Sequence, residues 1–445
     1  MSSQITDWRP EDATFWEQTG KKIAWRTLTI TTLSLVLSFA TWFVMSAVAV
    51  RLPGIGFKFT NDQLFWLAAM PGLAGGTLRL MHMFLIPIFG TRNVVTIATL
   101  AKILPCVGLG LAVMNPATPF WVFVVIALGL GMGGGDFSSY MPSTSVFFPK
   151  RLLGTVLGIQ AGVGNFGVCV TQFLTPWIIT FAIGSGALAA SQTFTNKAGK
   201  TSGMWLQNAA FWYVPLLLIL GIAAWAMLRR VPVKASFREQ FDIFKNKHTY
   251  YCTITYVMTF GAFSGLAAAF PMLIKSVYGD LPGAPDPLKY AFYGPLIGSA
   301  MRVIAGPLTD KFGGAIFTTL CGLGLITGAA YLGYSDLLTH PSLETFPTFV
   351  WVMLGMFFFT GIGNAATFRQ YPVIFSHSPR QAAGVIGFTA AIAAYGPFLF
   401  NTLIGQIKTA CKTPAPFFVG LMTFCILATA INWWFYNRKG AEKPS

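Results

Sequence analysis

Charge is scarce in this sequence: Asp, Glu, Lys and Arg make up 10% of its 445 residues. Soluble domains carry about 25%, so a water-exposed surface is excluded for most of the chain. Acid is scarcer still, with 14 Asp and Glu against 30 Lys and Arg, and there are only four His. Paired carboxylates, a nucleophile motif and a metal-ligating cluster are all missing, so neither an enzyme nor a metal or cofactor is expected. The six cysteines (Cys106, Cys169, Cys252, Cys321, Cys411, Cys425) form no CxxC pair and lie mostly in apolar runs. That argues against a metal or disulfide framework. The net charge of +16 is scattered singly between apolar runs. No basic domain exists to grip a phosphate backbone, so nucleic acid is not an expected partner.

What the chain does have is apolar length. It is 54% hydrophobic, with 41 Phe, 13 Trp and a mean hydropathy of +0.62. A membrane-spanning helix needs about 20 apolar residues. Breaks at Gly, Pro and charge divide the sequence into twelve runs, roughly 27–50, 62–88, 94–114, 118–141, 152–184, 206–228, 249–278, 287–310, 314–335, 346–374, 381–407 and 413–437. The expected fold is an all-α membrane protein of twelve transmembrane helices, embedded in lipid. Twelve spans put both termini on one side. Eighteen Lys and Arg fall in the terminal and even-numbered connecting segments, which makes that side cytoplasmic by the positive-inside rule. The polar opening, with "DWRPEDATFWEQTGKK" at 7–22, reads as a cytoplasmic segment and not a signal peptide. The expected units are this segment (1–26), a six-helix half (27–228), a basic cytoplasmic linker (229–248), a second six-helix half (249–437) and a tail (438–445).

The halves repeat. Arg79 in the second run is followed ten and eleven residues later by Phe89-Gly90, and Arg302 in the eighth by Phe312-Gly313 at the same spacing. Gly131-x-Gly133 precedes Pro142 as Gly361-x-Gly363 precedes Pro372, and Gly158 and Gly167 match Gly387 and Gly396. Each match alone is weak, because glycine is common here. Three in the same order, each offset by six runs, argue for a duplicated 6+6 carrier.

The arginines carry the chemistry. An arginine at a bilayer centre costs at least about 2.5–3.5 kcal/mol. A lone one can snorkel to the interface or pair with a structural acid. Twin arginines on equivalent helices instead converge near the midplane. Their permanent charges repel unless an anion lies between them, and planar guanidinium suits a planar oxyanion by bidentate contact. Asn165 in "GIQAGVGNFGVCVTQ" offers an amide donor, while the glycines around it read as helix contacts. Tyr256 and Phe260 fall one turn apart on one helix face. "GLGMGG" (129–134) matches GxGxxG in form, but it lies in an apolar helix with no strand before it, so a dinucleotide site is rejected.

These residues also carry a resemblance. The opening "DWRPEDATFWE", "FTNDQLFWLAAMPGLAGGTLRL", "FFPK" at 147–150, the signatures "GIQAGVGNFGV" and "TGIGNAATFRQYPVIF", and "GFTAAIAAYG" together span nearly the whole chain. On these the chain resembles the nitrate/nitrite porter family of the major facilitator superfamily. The resemblance implies nitrate and nitrite as substrates, alternating access, a bacterial cytoplasmic membrane and a functional monomer. It implies that Arg79 and Arg302 clamp the anion, that Asn165 and Tyr256 donate to it, that Phe137 and Phe260 bracket it, and that Gly387 lets its helix pack and bend near the site.

Three residues depart from the family pattern: Asp136, Arg369 and His82. Asp136 is expected either to pair with Arg369 across the equivalent fourth and tenth helices or to titrate in a nitrate–proton symport, with His82 nearby. Nitrate import in exchange for nitrite export is the leading reading, since two fixed charges resist closing around an empty cavity. A proton symporter, a carrier of another small anion, a sugar or drug carrier and a membrane receptor are the alternatives. Few polar residues in the runs argue against a sugar site, and no output domain is expected to follow Arg438.

Overall fold

The computed structural model describes residues 4–183, 186, 190–196, 199–231 and 238–445, with side chains outside the description at 150, 154, 238–240 and 379. Lys234 of the expected linker is therefore outside the described residues, as are the side chains of Lys150 and Arg238.

Among the described residues, eleven helices are long and apolar enough to cross a membrane: Ala13–Ala49, Asn61–His82, Leu85–Val113, Phe120–Ser145, Arg151–Ile178, Asn208–Met227, Lys247–Tyr278, Gly314–Tyr334, Phe346–Ile374, Arg380–Cys411 and Ala415–Asn437. The helix Tyr293–Phe312 is the twelfth in the series, less apolar because Arg302, Asp310 and Lys311 all lie in it. In chain order these are spans 1 to 12, with Tyr293–Phe312 as span 8. Span 1 is helical from Ala13, so part of the polar opening continues the first span instead of standing apart from it. The sequence reading also missed a small hairpin between spans 5 and 6, in which β1 (Gln192–Thr195) pairs antiparallel with β2 (Thr201–Met204).

The matched residues of the two halves make matched contacts. Gly90 and Gly313 have φ of +75° and +91°, a region where a side chain is strained. The Arg-x9-Phe-Gly pattern thus ends in the residue that turns the chain sharply after spans 2 and 8. A Cβ on Gly131 would stand 2.7 Å from the Pro71 carbonyl oxygen of span 2, and one on Gly361 would stand 2.3 Å from that of Gly298 on span 8. Gly167 approaches span 1 at the Val36 carbonyl (2.1 Å), as Gly396 approaches span 7 at the Gly261 carbonyl (2.2 Å). In lipid, helices associate through such close backbone approach and not through a hydrophobic gain. These glycines fix where spans 4 and 5, and 10 and 11, sit against their neighbours. Gly158 and Gly387 do not share this role, since a Cβ on either meets nothing within 4 Å. The expected packing function of Gly387 is corrected accordingly and belongs to Gly396.

At the hairpin end the halves are latched by Arg51, whose Nη2 lies 2.7 Å from an Asp286 oxygen. Phe194 of β1 lies under the Arg51 guanidinium, 5.4 Å from ring centroid to Cζ. Deeper in, Gln172 Nε2 donates to the Ala267 carbonyl at 2.8 Å, again from one half to the other. At the linker end Asp242 accepts from Arg380 and, at 3.0 Å, from Gln381 Nε2.

Candidate functional site

Arg79 lies in the last turn of span 2 and is 1% exposed; Arg302 lies in span 8 and is 6% exposed. Among the described residues neither has a carboxylate partner. Arg79 Nε donates to the Gly134 carbonyl of span 4 and Nη1 to the Ala390 carbonyl of span 11, each at 2.7 Å. Its Nη2 has no partner, and neither has Nη1 or Nη2 of Arg302. An unsatisfied buried charged donor costs more than the roughly 1–3 kcal/mol of a neutral one. Three guanidinium nitrogens, Arg79 Nη2 and Arg302 Nη1 and Nη2, are thus left without acceptors here.

Rings line this place. Arg79 Cζ lies 4.8 Å from the Phe137 centroid and 5.3 Å from that of Phe260, and Trp42 and Phe39 stand at 5.4 and 5.8 Å. Such cation–π contacts are worth about 0.5–2 kcal/mol each, more when desolvated. They hold the guanidinium without neutralising it. Under Arg302 the ring is Phe368, at 4.7 Å. Phe368 stacks on Phe137 (6.4 Å, 23°) and on Tyr256 (5.3 Å, 19°), and Tyr256 stacks on Phe260 (5.5 Å, 9°). A continuous column of near-parallel rings from spans 4, 10 and 7 thus joins the two arginines. Tyr256 and Phe260 meet across a π-helical turn, Val257–Gly261, a local widening often found at functional sites.

The structure brings Arg79, Arg302, Tyr256, Phe137 and Phe260 together. Asn165 is fully buried, with neither amide atom partnered. It follows by three residues Gly162, whose Cβ position is 2.9 Å from Val303 beside Arg302. Gly387 precedes Ala390, the acceptor of Arg79, by one turn. Phe368 was not anticipated. It is one of 41 Phe, and only its place in the second signature, four residues after Asn364, sets it apart.

The expected Asp136–Arg369 pair does not form. Arg369 pairs with Asp310 at 3.0 Å, where both side chains are solvent-accessible (38% and 71%). Asp136 pairs with Lys102 of span 3, both side chains being essentially unexposed. Ser38 Oγ of span 1 also donates to Asp136, at 2.6 Å. His82 Nδ1 stands 3.8 Å from the other carboxylate oxygen and 3.1 Å from Ser139 Oγ. Lys102 sits at the joint between the two helical pieces of span 3, and its ammonium also donates to the Ala98 carbonyl at 2.6 Å. Contacts inside one half override the pairing that equivalence between halves would give.

Two six-helix halves closing on a buried, cationic, aromatic-lined site define a multi-pass membrane carrier fold. Residues 30–401 match the Major Facilitator Superfamily. Over 99% of this chain and 98% of the relative, the sequence is 56% identical to the probable nitrate/nitrite antiporter NarK2 of Thermus thermophilus. It is 37% identical to the nitrate/nitrite transporter NarU of Escherichia coli K12, over 98% of this chain and 96% of NarU. A solved D-xylose–proton symporter superposes with a TM-score of 0.68 over 92% of this chain and 97% of its own, at 15% identity, a likeness of fold alone. The chain belongs to the nitrate/nitrite porter family of the major facilitator superfamily.

Proposed function

We propose that the protein carries nitrate and nitrite across the membrane by alternating access, taking nitrate in as nitrite leaves. The observation that carries this reading is the pair of buried guanidiniums with three unpartnered nitrogens between them. Arg79 and Arg302 clamp the planar anion. Phe137, Phe260 and Phe368 cover its faces, and Tyr256 and Asn165 donate to its oxygens. Gly387 leaves room beside Ala390 where span 11 meets Arg79. The relatives named for nitrate and nitrite support the choice of substrate.

Exchange follows from the charges. Closing the halves strips water from both guanidiniums, and no protein carboxylate compensates them among the described residues. An anion must ride in each direction for the site to close. Asp136 already has its counter-ion in Lys102, which supports a structural role for it over a proton-carrying one. We further propose a bacterial cytoplasmic membrane and a functional monomer; the excess of Lys and Arg in the terminal and linker segments supports cytoplasmic termini and linker.

The test is uptake of nitrate by proteoliposomes. Internal nitrite should accelerate uptake strongly, and Arg302→Lys should lose it nearly as fully as Arg302→Ala, because a point charge lacks the bidentate plane. Nitrate accumulation in nitrite-free vesicles under an imposed pH gradient would replace exchange with symport. Normal uptake by Arg302→Lys would remove the clamp.

A further inference from the structure

We infer that Asn364, in the middle of span 10, is a further anion-binding residue at the Arg302 side of the site; the inference rests on the clamp reading above. Asn364 is fully buried, and neither its amide nitrogen nor its amide oxygen has a hydrogen-bond partner. An amide left bare in the low-dielectric interior is costly, and native structures rarely tolerate it without a ligand or a functional reason.

The register of the helices says what it faces. Spans 8 and 10 run side by side. A Cβ on Gly294 would strike Phe357, and one on Gly361 would strike the Gly298 carbonyl, four residues further along each helix. One more turn sets Arg302 beside residues 364–365. Around the helix, Asn364 falls on the stripe of Phe357 and Phe368, seven residues after one and four before the other. Phe357 packs on Phe263 of span 7, and Phe368 on Tyr256 of the same span. Asn364 therefore looks toward the π-helical turn between Tyr256 and Phe260, at the height of Arg302. The other polar residues of this stretch are engaged: Thr367 donates to the Gly363 carbonyl at 2.9 Å, and Gln370 is bonded to Thr318 and Asn432. Asn364 alone among them is left bare.

Its chemistry suits the place. The amide nitrogen donates to an oxygen of the anion, while the amide oxygen accepts from an Arg302 nitrogen and holds the fork in position. With Asn165 from span 5, the anion then meets one neutral amide from each half. Neutral donors leave the site's net charge to the arginines, which an acidic residue here would cancel.

The experiment measures nitrate binding to the purified full-length protein by calorimetry, alongside its melting temperature without nitrate. Asn364→Ala should weaken binding about five- to tenfold, the size of one lost hydrogen bond, and leave the nitrate-free melting temperature unchanged. Asn364→Asp should abolish binding, because its carboxylate neutralises Arg302. A residue that merely packs would give the reverse: a lowered nitrate-free melting temperature and wild-type affinity. Should the alanine variant be unstable, Asn364→Ser decides, since weakened binding in a stable protein supports the assignment and unchanged binding overturns it. Arg302→Lys run in parallel separates the two readings. Lost binding there with wild-type affinity in Asn364→Ala refutes Asn364 alone, and retained binding in Arg302→Lys refutes the clamp and this inference together.

Discussion

Removing Lys102 leaves a carboxylate stranded in the protein interior. In Lys102→Met, Asp136 keeps the Ser38 hydroxyl and the more distant His82, but loses its contact with the Lys102 side-chain nitrogen. Breaking a buried pair on one side costs about 3–5 kcal/mol, whereas replacing both partners by neutral groups of similar volume is close to neutral or even stabilising. Asp136→Asn strands the ammonium instead and should cost a similar amount. The double variant Lys102→Met/Asp136→Asn should recover most of the loss, giving a coupling energy of several kcal/mol, well beyond the roughly 0.5 kcal/mol expected of independent sites. The effect should also reach the anion. Asp136 lies at the junction between the Met132–Gly135 turn and the helix Phe137–Ser145, so it sets both the Gly134 carbonyl on Arg79 Nε and the ring of Phe137 beneath it. The single variants should therefore raise KM for nitrate, and the double should bring it back. Melting of the purified variants and nitrite-loaded proteoliposome uptake read the two effects. Additive losses would refute the pairing argument. A stable double variant that keeps nitrate–nitrite exchange but loses uptake driven by a pH gradient would make Asp136 a proton site.

Three further outcomes are expected. Asn165→Ala should weaken nitrate binding by several fold to tenfold, the loss of one neutral hydrogen bond of about 1 kcal/mol; calorimetry showing unchanged affinity would take Asn165 out of the site. Asp286→Asn weakens the Arg51 latch, which joins the halves at 2.7 Å in a half-buried setting, and should raise the labelling rate of a cysteine placed at the hairpin end of span 7. Hydrogen bonds from Arg380 and Gln381 hold the Asp242 carboxyl below its ordinary value of 3.8, so the linker clasp is fully present above that value and is lost as pH falls through the lowered one. The protection of residues 238–245 against hydrogen exchange, taken relative to the unstructured rate at each pH, should fall on acidification below about pH 4, and Asp242→Asn should show that lower protection already at neutral pH.

How much of this was legible beforehand depends on which physical signal each feature leaves in sequence. Spans are legible because lipid demands about 20 apolar residues at a time; even span 8, which carries Arg302, Asp310 and Lys311, stands out as an apolar run between Gly, Pro and charge breaks. The duplicated glycines were legible as spacing, and Gly131 with Gly361 and Gly167 with Gly396 make matched backbone approaches; Gly133 meets the Ser38 carbonyl where Gly363 meets the Cys321 and Thr259 side chains, and Gly158 and Gly387 keep the spacing without a contact. Phe368 was not legible, because a ring under an arginine and a ring packed on a neighbouring helix look alike among 41 Phe. The partner of Asp136 was not legible either. Equivalence between halves pointed to span 10, but a carboxylate buried inside the first half is compensated there, and the joint in span 3 that puts Lys102 beside it leaves no mark in composition. The hairpin between spans 5 and 6 lies in a polar connection, where apolar periodicity says little.

Set side by side, the two buried ionic features divide the labour of the first half. Asp136 and Lys102 cancel, each bonded further to Ser38 or to the Ala98 carbonyl, and leave no net field for an anion. Arg79 is held by carbonyls and rings alone, so its charge persists. Arg302 in the second half has the Phe368 ring beneath it, and its Nη1 and Nη2 have no partner. Had Asp136 paired with Arg369, the ion pair would have tied span 4 to span 10 across the interface that must open. With the ion pair confined within one half, spans 4 and 10 meet through the Phe137–Phe368 stack. The arginine charges thus stand between the halves, and the Asp136–Lys102 pair lies within the first half.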